Sequence, residues 1–176
     1  VKIYLLPLRF ENQELLEQVS SVVARAFGFP IDRLHSSFSL KDGHDPVRDQ
    51  YNSTWILSKL VELAPQQECK ILGITEVDLY VPVLTFVFGE AQLGGKTAVV
   101  SSFRLRDELY GLPPNPQRLR ERLEKEAVHE LGHTFGILHC RDPLCVMHSY
   151  TYAEEIDIKS KDFCKVCSAQ LKHKTT

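Results

Sequence analysis

Neither sign of charge dominates this 176-residue chain, in which 21 Lys and Arg stand against 23 Asp and Glu for a net charge of -2. That balance supplies no attraction to nucleic acid or to an anionic membrane surface, and neither is expected as a partner. No apolar run approaches the roughly 20 residues a spanning helix needs. Glycine and proline number only 9 each, without an internal repeat or a low-complexity segment, which excludes collagen-like and disordered chains. Methionine and tryptophan occur once each, and cysteine five times. An odd cysteine count suits thiols and metal better than a disulfide framework. The apolar stretch in Val1 to Arg9 is strand-like and lacks the basic segment and small-residue cleavage site of a secretory leader, so a cytoplasmic protein is expected. With 43% hydrophobic residues, one domain with a core that needs no disulfides is the expectation.

The order of elements follows from periodicity. Val1 to Leu8 is apolar and β-branched and reads as a strand. Leu15, Leu16, Val19, Val22, Val23 and Ala26 recur at helical spacing between Asn12 and Phe27, before Gly28. Arg33 to Leu40 alternates Leu34, Ser36, Phe38 and Leu40 with polar neighbours and predicts a half-buried strand. A helix is expected at Ser53 to Ala64, a central strand at Lys70 to Val81, and an antiparallel or edge pair at Thr85 to Glu90 and Lys96 to Leu105. A long helix then runs from Gln117 to Phe135, and a short one from Cys164 to Lys172. Arg118 to Lys125 reads as a solvated helix face, with Arg118 and Arg120 near Glu121 and Glu124. Strands alternating with helices predict a mixed α/β fold: a twisted mixed sheet with packed helices.

His129-Glu130-Leu131-Gly132-His133 carries the first chemical signal, near the end of the long helix. Histidines one turn apart share a helix face, so both imidazoles reach one metal ion, while Glu130 sits beside the metal and can take a proton from water. The pattern continues to Gly136 and His139. On an unbroken helix His139 would lie about 600° beyond His133, on another face. A glycine in the left-handed region at 136 would end the helix and return His139 as a third ligand. Three His with a position left open is the donor set of catalytic zinc.

Cys140, Cys145, Cys164 and Cys167 follow as C-x4-C and C-x2-C pairs with 18 residues between them. Ligand type and spacing match a closed four-cysteine zinc site, structural because it leaves no place for substrate; two disulfides or four buried thiols are the alternatives. Two zinc ions per chain are therefore expected, one catalytic and one structural. Cys69 reads as a plain strand-edge thiol, His148 as a turn residue, and His35, His44 and His173 as solvent-facing or loop histidines rather than ligands.

Together these residues resemble the metzincin clan of zinc peptidases, and within it the archaemetzincin family, whose four-cysteine pattern is interleaved with a methionine turn at Met147. Gln50-Tyr51-Asn52-Ser53 and Phe86-Val87-Phe88-Gly89-Glu90-Ala91 also look like that family. In one departure, 16 residues separate Met147 from Cys164, one fewer than the family pattern. The resemblance implies a metzincin-like fold: an upper part at about residues 1–136 with sheet and active-site helix, and a small zinc-stapled lower part at about 137–176 with the Met-turn. It implies His129, His133 and His139 as catalytic zinc ligands, Glu130 as general base and Met147 as a floor under the metal. It also implies an exposed edge strand, near Phe86 to Ala91 or just after it, that pairs with an extended peptide. Tyr150 is a candidate oxyanion stabiliser, one residue farther from Met147 than in that pattern.

The function expected is hydrolysis of peptide bonds in a peptide or protein substrate. A zinc-stapled module that binds peptides without turnover is the competing reading, which the presence of Glu130 disfavours. A hydrolase of non-peptide amides is a third, because activated water does not specify its carbonyl.

Overall fold

The structure is a computed structural model that describes residues 1–35 and 38–175. Its centre is a five-stranded sheet in the order β2-β1-β5-β8-β7. Strands β1 (Lys2–Leu8), β2 (Ile31–Arg33), β5 (Cys69–Thr75) and β8 (Thr97–Ser101) run parallel, and β7 (Gly89–Ala91) closes one edge antiparallel to β8. β1 pairs with β5 along its full length, from Lys2 opposite Cys69 to Leu8 opposite Thr75. Both faces of these strands are covered, which is why they read as near-continuous apolar runs. Ile3, Leu5, Leu72, Ile74, Ala98 and Val100 face α1 (Gln13–Phe27) and α3 (Pro116–Thr134). Tyr4, Leu6, Leu8, Ile71 and Val99 face α2 (Ser53–Leu63). Alternation along each strand thus builds a three-layer mixed α/β sandwich, the fold class expected from the element order.

The three helices that pack on the main sheet, α1, α2 and α3, start at the same device. Asn12, Asn52 and Asn115 each accept a hydrogen bond from the backbone N–H three residues on, at 2.9 to 3.0 Å. A small second sheet, β3 (His44–Asp45), β4 (Gln50–Asn52) and β6 (Leu79–Tyr80), lies beside the main one. After α3 the chain forms α4 (Ala153–Ile156) and α5 (Lys165–Thr175). Their apolar side chains Ala153, Ile156 and Leu171 join the core shared by α1 and α3, and so does the Cys145–Met147 turn. No helix among the described residues is long and apolar enough to cross a membrane.

Three expectations need correction. The strand expected at Arg33 to Leu40 ends at Arg33: β2 is a three-residue edge strand, and Ser36 lies outside the described residues. The strand expected at Lys70 to Val81 breaks after Thr75, because Asp78 is bound by Arg104 and Gln50 and the chain crosses to the second sheet as β6. The solvated face expected at Arg118 to Lys125 is partly interior. Arg122 is 2% exposed and Glu124 5%. Arg122 donates to Asp157 at 2.8 and 2.7 Å, to Asp107 at 2.9 Å and to the Leu105 carbonyl at 2.9 Å. Charge alternation looks solvated in sequence, whereas here residues from both flanking segments cover it.

Candidate metal centres

Helix α3 ends in a Schellman turn that sets the third histidine. The Gly136 N–H bonds the His133 carbonyl at 2.8 Å and the Ile137 N–H bonds the Gly132 carbonyl at 3.2 Å, with Gly136 at φ +77°. The chain reverses and brings the ring of His139 to 5.3 Å from that of His129 and 4.8 Å from that of His133. One ring nitrogen from each of the three lies within 4.8 Å of the others.

Backbone carbonyls decide which nitrogens face inward. His129 Nδ1 lies 2.8 Å from the Val146 oxygen, and His133 Nδ1 lies 2.8 Å from the Ile137 oxygen. A carbonyl only accepts, so each Nδ1 donates and each Nε2 keeps a free lone pair. The two Nε2 atoms stand 3.1 Å apart, close to the roughly 3.3 Å of two nitrogens about 2.05 Å from one tetrahedral ion. Burial holds all three imidazoles below their usual pKa, His129 well below, and so favours the neutral form that binds metal. Donor type, tautomer and spacing all fit zinc.

Glu130 is 7% exposed, and burial, reinforced by the Glu126 carboxylate, raises its carboxyl well above the usual range. It reaches its place only because residue 89 is glycine: a Cβ there would stand 2.6 Å from Glu130 Cγ and 2.6 Å from the Val99 oxygen. Gly132 does the same for Met147, which is fully buried and whose Sδ would be 2.5 Å from a Cβ at 132. The only methionine therefore packs against the helix between the two ligands on α3.

The cysteines form a second cluster on the segments that follow. Cys140, Cys145, Cys164 and Cys167 bring their Sγ atoms within 4.8 Å of one another. Cys140 and Cys164 Sγ are 3.8 Å apart, which matches two thiolates about 2.3 Å from one tetrahedral zinc and is far beyond the ~2.05 Å of a disulfide. All five cysteines are free thiols. The Cys167 backbone N–H lowers the Cys164 thiol, whereas burial pushes Cys145 and Cys167 up. Closed geometry with sulfur ligands fits a zinc ion with no open position. Two hydrogen bonds tie Cys140 to the segment that carries Met147: Cys140 N–H donates to the Met147 carbonyl at 2.9 Å, and His148 Nδ1 lies 2.8 Å from the Cys140 oxygen.

Remaining histidines fall as expected or close to it. His35 and His173 are exposed, and His44, part-buried, sits 3.0 Å from Asp49. Cys69 is the first residue of the central strand β5 and is buried. Tyr150 lies beside the histidines, but its hydroxyl donates to the Pro143 carbonyl at 3.1 Å.

A cavity of about 590 Å³ opens over the three imidazoles and Glu130. Phe86 and Phe88 line one wall, Tyr150 and Tyr152 another. The Phe86 wall is held by Arg48, which donates to the Leu84 and Thr85 carbonyls at 2.7 and 2.9 Å, and by Gln50, which donates to Thr85 at 3.0 Å. Ser53 and Thr54 bind the Glu90 carboxylate, tying β7 to the start of α2. Lys159 and Glu126, ion-paired at 2.8 Å, also line the cavity. Sequence reasoning missed both. Glu126 carried a signal, one turn before Glu130 on the same helix face; Lys159 carried none.

Known proteins resemble this chain throughout. Residues 11–173 match the model of Peptidase family M54. A curated archaemetzincin of Methanocaldococcus jannaschii is 48% identical over 124 residues, covering 70% of this chain and 67% of that protein. The crystal structure of archaemetzincin from Methanopyrus kandleri superposes with a TM-score of 0.86 at 33% identity, covering 99% of this chain and 95% of that one. A zinc-dependent peptidase from Methanocorpusculum labreanum gives a TM-score of 0.86 at 34% identity, covering 96% and 99%.

Proposed function

The chain belongs to peptidase family M54, with the archaemetzincins, and is a zinc metallopeptidase; on that premise we propose that Glu130 is its general base and His129, His133 and His139 its catalytic zinc ligands. Zinc at that site supplies Lewis acidity, making water nucleophilic near neutral pH and polarising the scissile carbonyl. Glu130 takes the proton released as water attacks and delivers it to the leaving amine. Its burial supports the first half of that task, since burial favours the protonated carboxyl. Met147 is the floor beneath the ligands. Tyr150 must release Pro143 before its hydroxyl can reach an oxyanion.

The substrate is an extended peptide or protein segment, paired with the free edge of β7. Phe88 O accepts from Ser101 N at 2.8 Å and Gln92 N donates to Thr97 O at 2.9 Å. By antiparallel alternation the backbone groups of Gly89 and Ala91 then point away from β8, toward a partner strand. Cys140, Cys145, Cys164 and Cys167 hold a second, structural zinc that staples a lower part at about residues 137–176 to the upper part. Neither nucleic acid nor a membrane surface is a partner in this reading, and the compartment is the cytoplasm.

One observation carries the reading: a buried carboxylate beside three imidazoles, packed against Gly89 under an open strand edge. The test is Glu130→Gln, assayed for zinc content and for hydrolysis of a peptide library. Zinc retained with hydrolysis lost is the expected result. Undiminished hydrolysis would remove Glu130 from the mechanism.

A further inference from the structure

The cavity also holds charges that the hydrolytic step does not use. Lys159 is 2% exposed and Glu126 5%, yet both line the cavity with His129 and Glu130. The Lys159 ammonium lies 2.8 Å from Glu126 Oε1 and donates to the His148 carbonyl at 3.2 Å; it also stands 3.4 Å from His129 Nδ1. Among the described residues neither Glu126 oxygen accepts a hydrogen bond: Oε1 is buried against the ammonium without one, and Oε2 is the acceptor left for whatever enters. Around it the walls are aromatic: Phe86, Phe88, Tyr150 and Tyr152.

We infer that the Glu126–Lys159 pair is the specificity-determining floor of this cavity and selects a neutral hydrogen-bond donor, the carboxamide of Gln or Asn, in the substrate residue flanking the scissile bond. The inference rests on the hydrolytic reading above. The pair is neutral as it stands, so any charged side chain leaves a net charge buried beside it. An acid brings a further carboxylate next to Glu126 and Glu130. A lysine meets the Lys159 ammonium. An apolar side chain of equal length shuts water away from Oε2 and gives nothing back, and a site built to hydrogen-bond discriminates strongly against such an analogue. A carboxamide donates to Oε2 without adding charge.

The experiment compares peptides that differ only at the two positions flanking the cleaved bond, carrying Gln, Met, Glu or Lys in turn. On the zinc-loaded protein, kcat/KM for Gln exceeds that for Met and Glu by about tenfold or more. The double variant Glu126→Leu with Lys159→Met replaces the pair with apolar groups of similar volume, a change buried ion pairs tolerate. It transfers the preference to Met. Glu126→Gln alone leaves the ammonium unpaired and transfers the preference to Glu. Dissociation constants of the same peptides on the Glu130→Gln variant give the ranking without turnover, and the same order is expected. A wild-type ranking led by Met, Glu or Lys, or one unchanged in both variants, overturns the inference while leaving peptide hydrolysis intact. Failure of every peptide to be cleaved or bound overturns the hydrolytic reading itself.

Discussion

Replacing Gly136 by alanine separates what the turn does for the fold from what it does for the metal. At φ +77° an alanine is strained by roughly 1–2 kcal/mol. Its Cβ would also meet Lys174 Nζ at 3.0 Å, the mobile end of a long side chain that can yield. In a chain of this length the strain lowers Tm by about 2–8 °C. Relief by leaving the left-handed region has a further consequence, because the Ile137 carbonyl that orients His133 and the path to His139 both follow from this turn. Loss of such an orienting bond weakens metal binding by about 10- to 100-fold. Gly28 supplies the control: it sits at φ +71° at the end of α1 with nothing within 4 Å of an added Cβ. Gly28→Ala bears the same backbone strain and touches neither metal centre. Thermal melts followed by circular dichroism and zinc affinity by chelator competition read the two effects. The reasoning predicts similar losses of Tm in both variants and weakened zinc binding only in Gly136→Ala. Equal zinc affinity in the two, with Gly136→Ala strained but fully loaded, would refute it.

Gly132→Ala forces its Cβ toward Met147 Sδ at 2.5 Å and should cost about 1–3 kcal/mol in a denaturant titration; adding Met147→Ala should recover part of that loss, and no recovery would mean the crowding lies elsewhere. Arg122→Ala removes a buried partner from Asp107, which keeps Arg118 at 2.8 Å, and from the exposed Asp157, and should cost about 1–3 kcal/mol. A loss below 1 kcal/mol in the same titration would show that the cluster relaxes to solvent. Mild chelation should strip the histidine site, open on the cavity side, before the thiolate site, with the far-ultraviolet spectrum unchanged. Simultaneous loss of both ions, or unfolding with the first, would contradict the division into open and closed sites.

Much of the molecule is legible in one sequence because its signals are local. Helices α1, α2 and α3 follow from helical periodicity, and each is bounded within a residue or two of its expected limits. The histidine pattern was readable for the same reason, since a helix turn fixes where His129 and His133 stand and a glycine shows where the chain must reverse. What stayed hidden depends on contacts between distant segments. Arg122 looks solvated until Asp107 and Asp157, from either side of α3, are seen to close over it. Gly89 looks like a turn residue until Glu130 is found against it. Lys159 sits in a segment without periodicity and becomes informative only beside Glu126, 33 positions earlier in the chain. The alternation at Arg33 to Leu40 misled because period-two patterning does not require a pairing partner, and among the described residues of that stretch only Arg33 has one.

Zinc add-back links occupancy of the histidine site to turnover in a single titration. Protein freed of its readily chelated metal is titrated with zinc while peptide hydrolysis and bound metal are measured in the same samples. Hydrolysis is expected to be absent at the start, with the thiolate zinc still bound, and to rise in proportion to the added ion until the three-histidine site is full. Hydrolysis that persists in the stripped protein, or that fails to return when the site is refilled, would contradict that link.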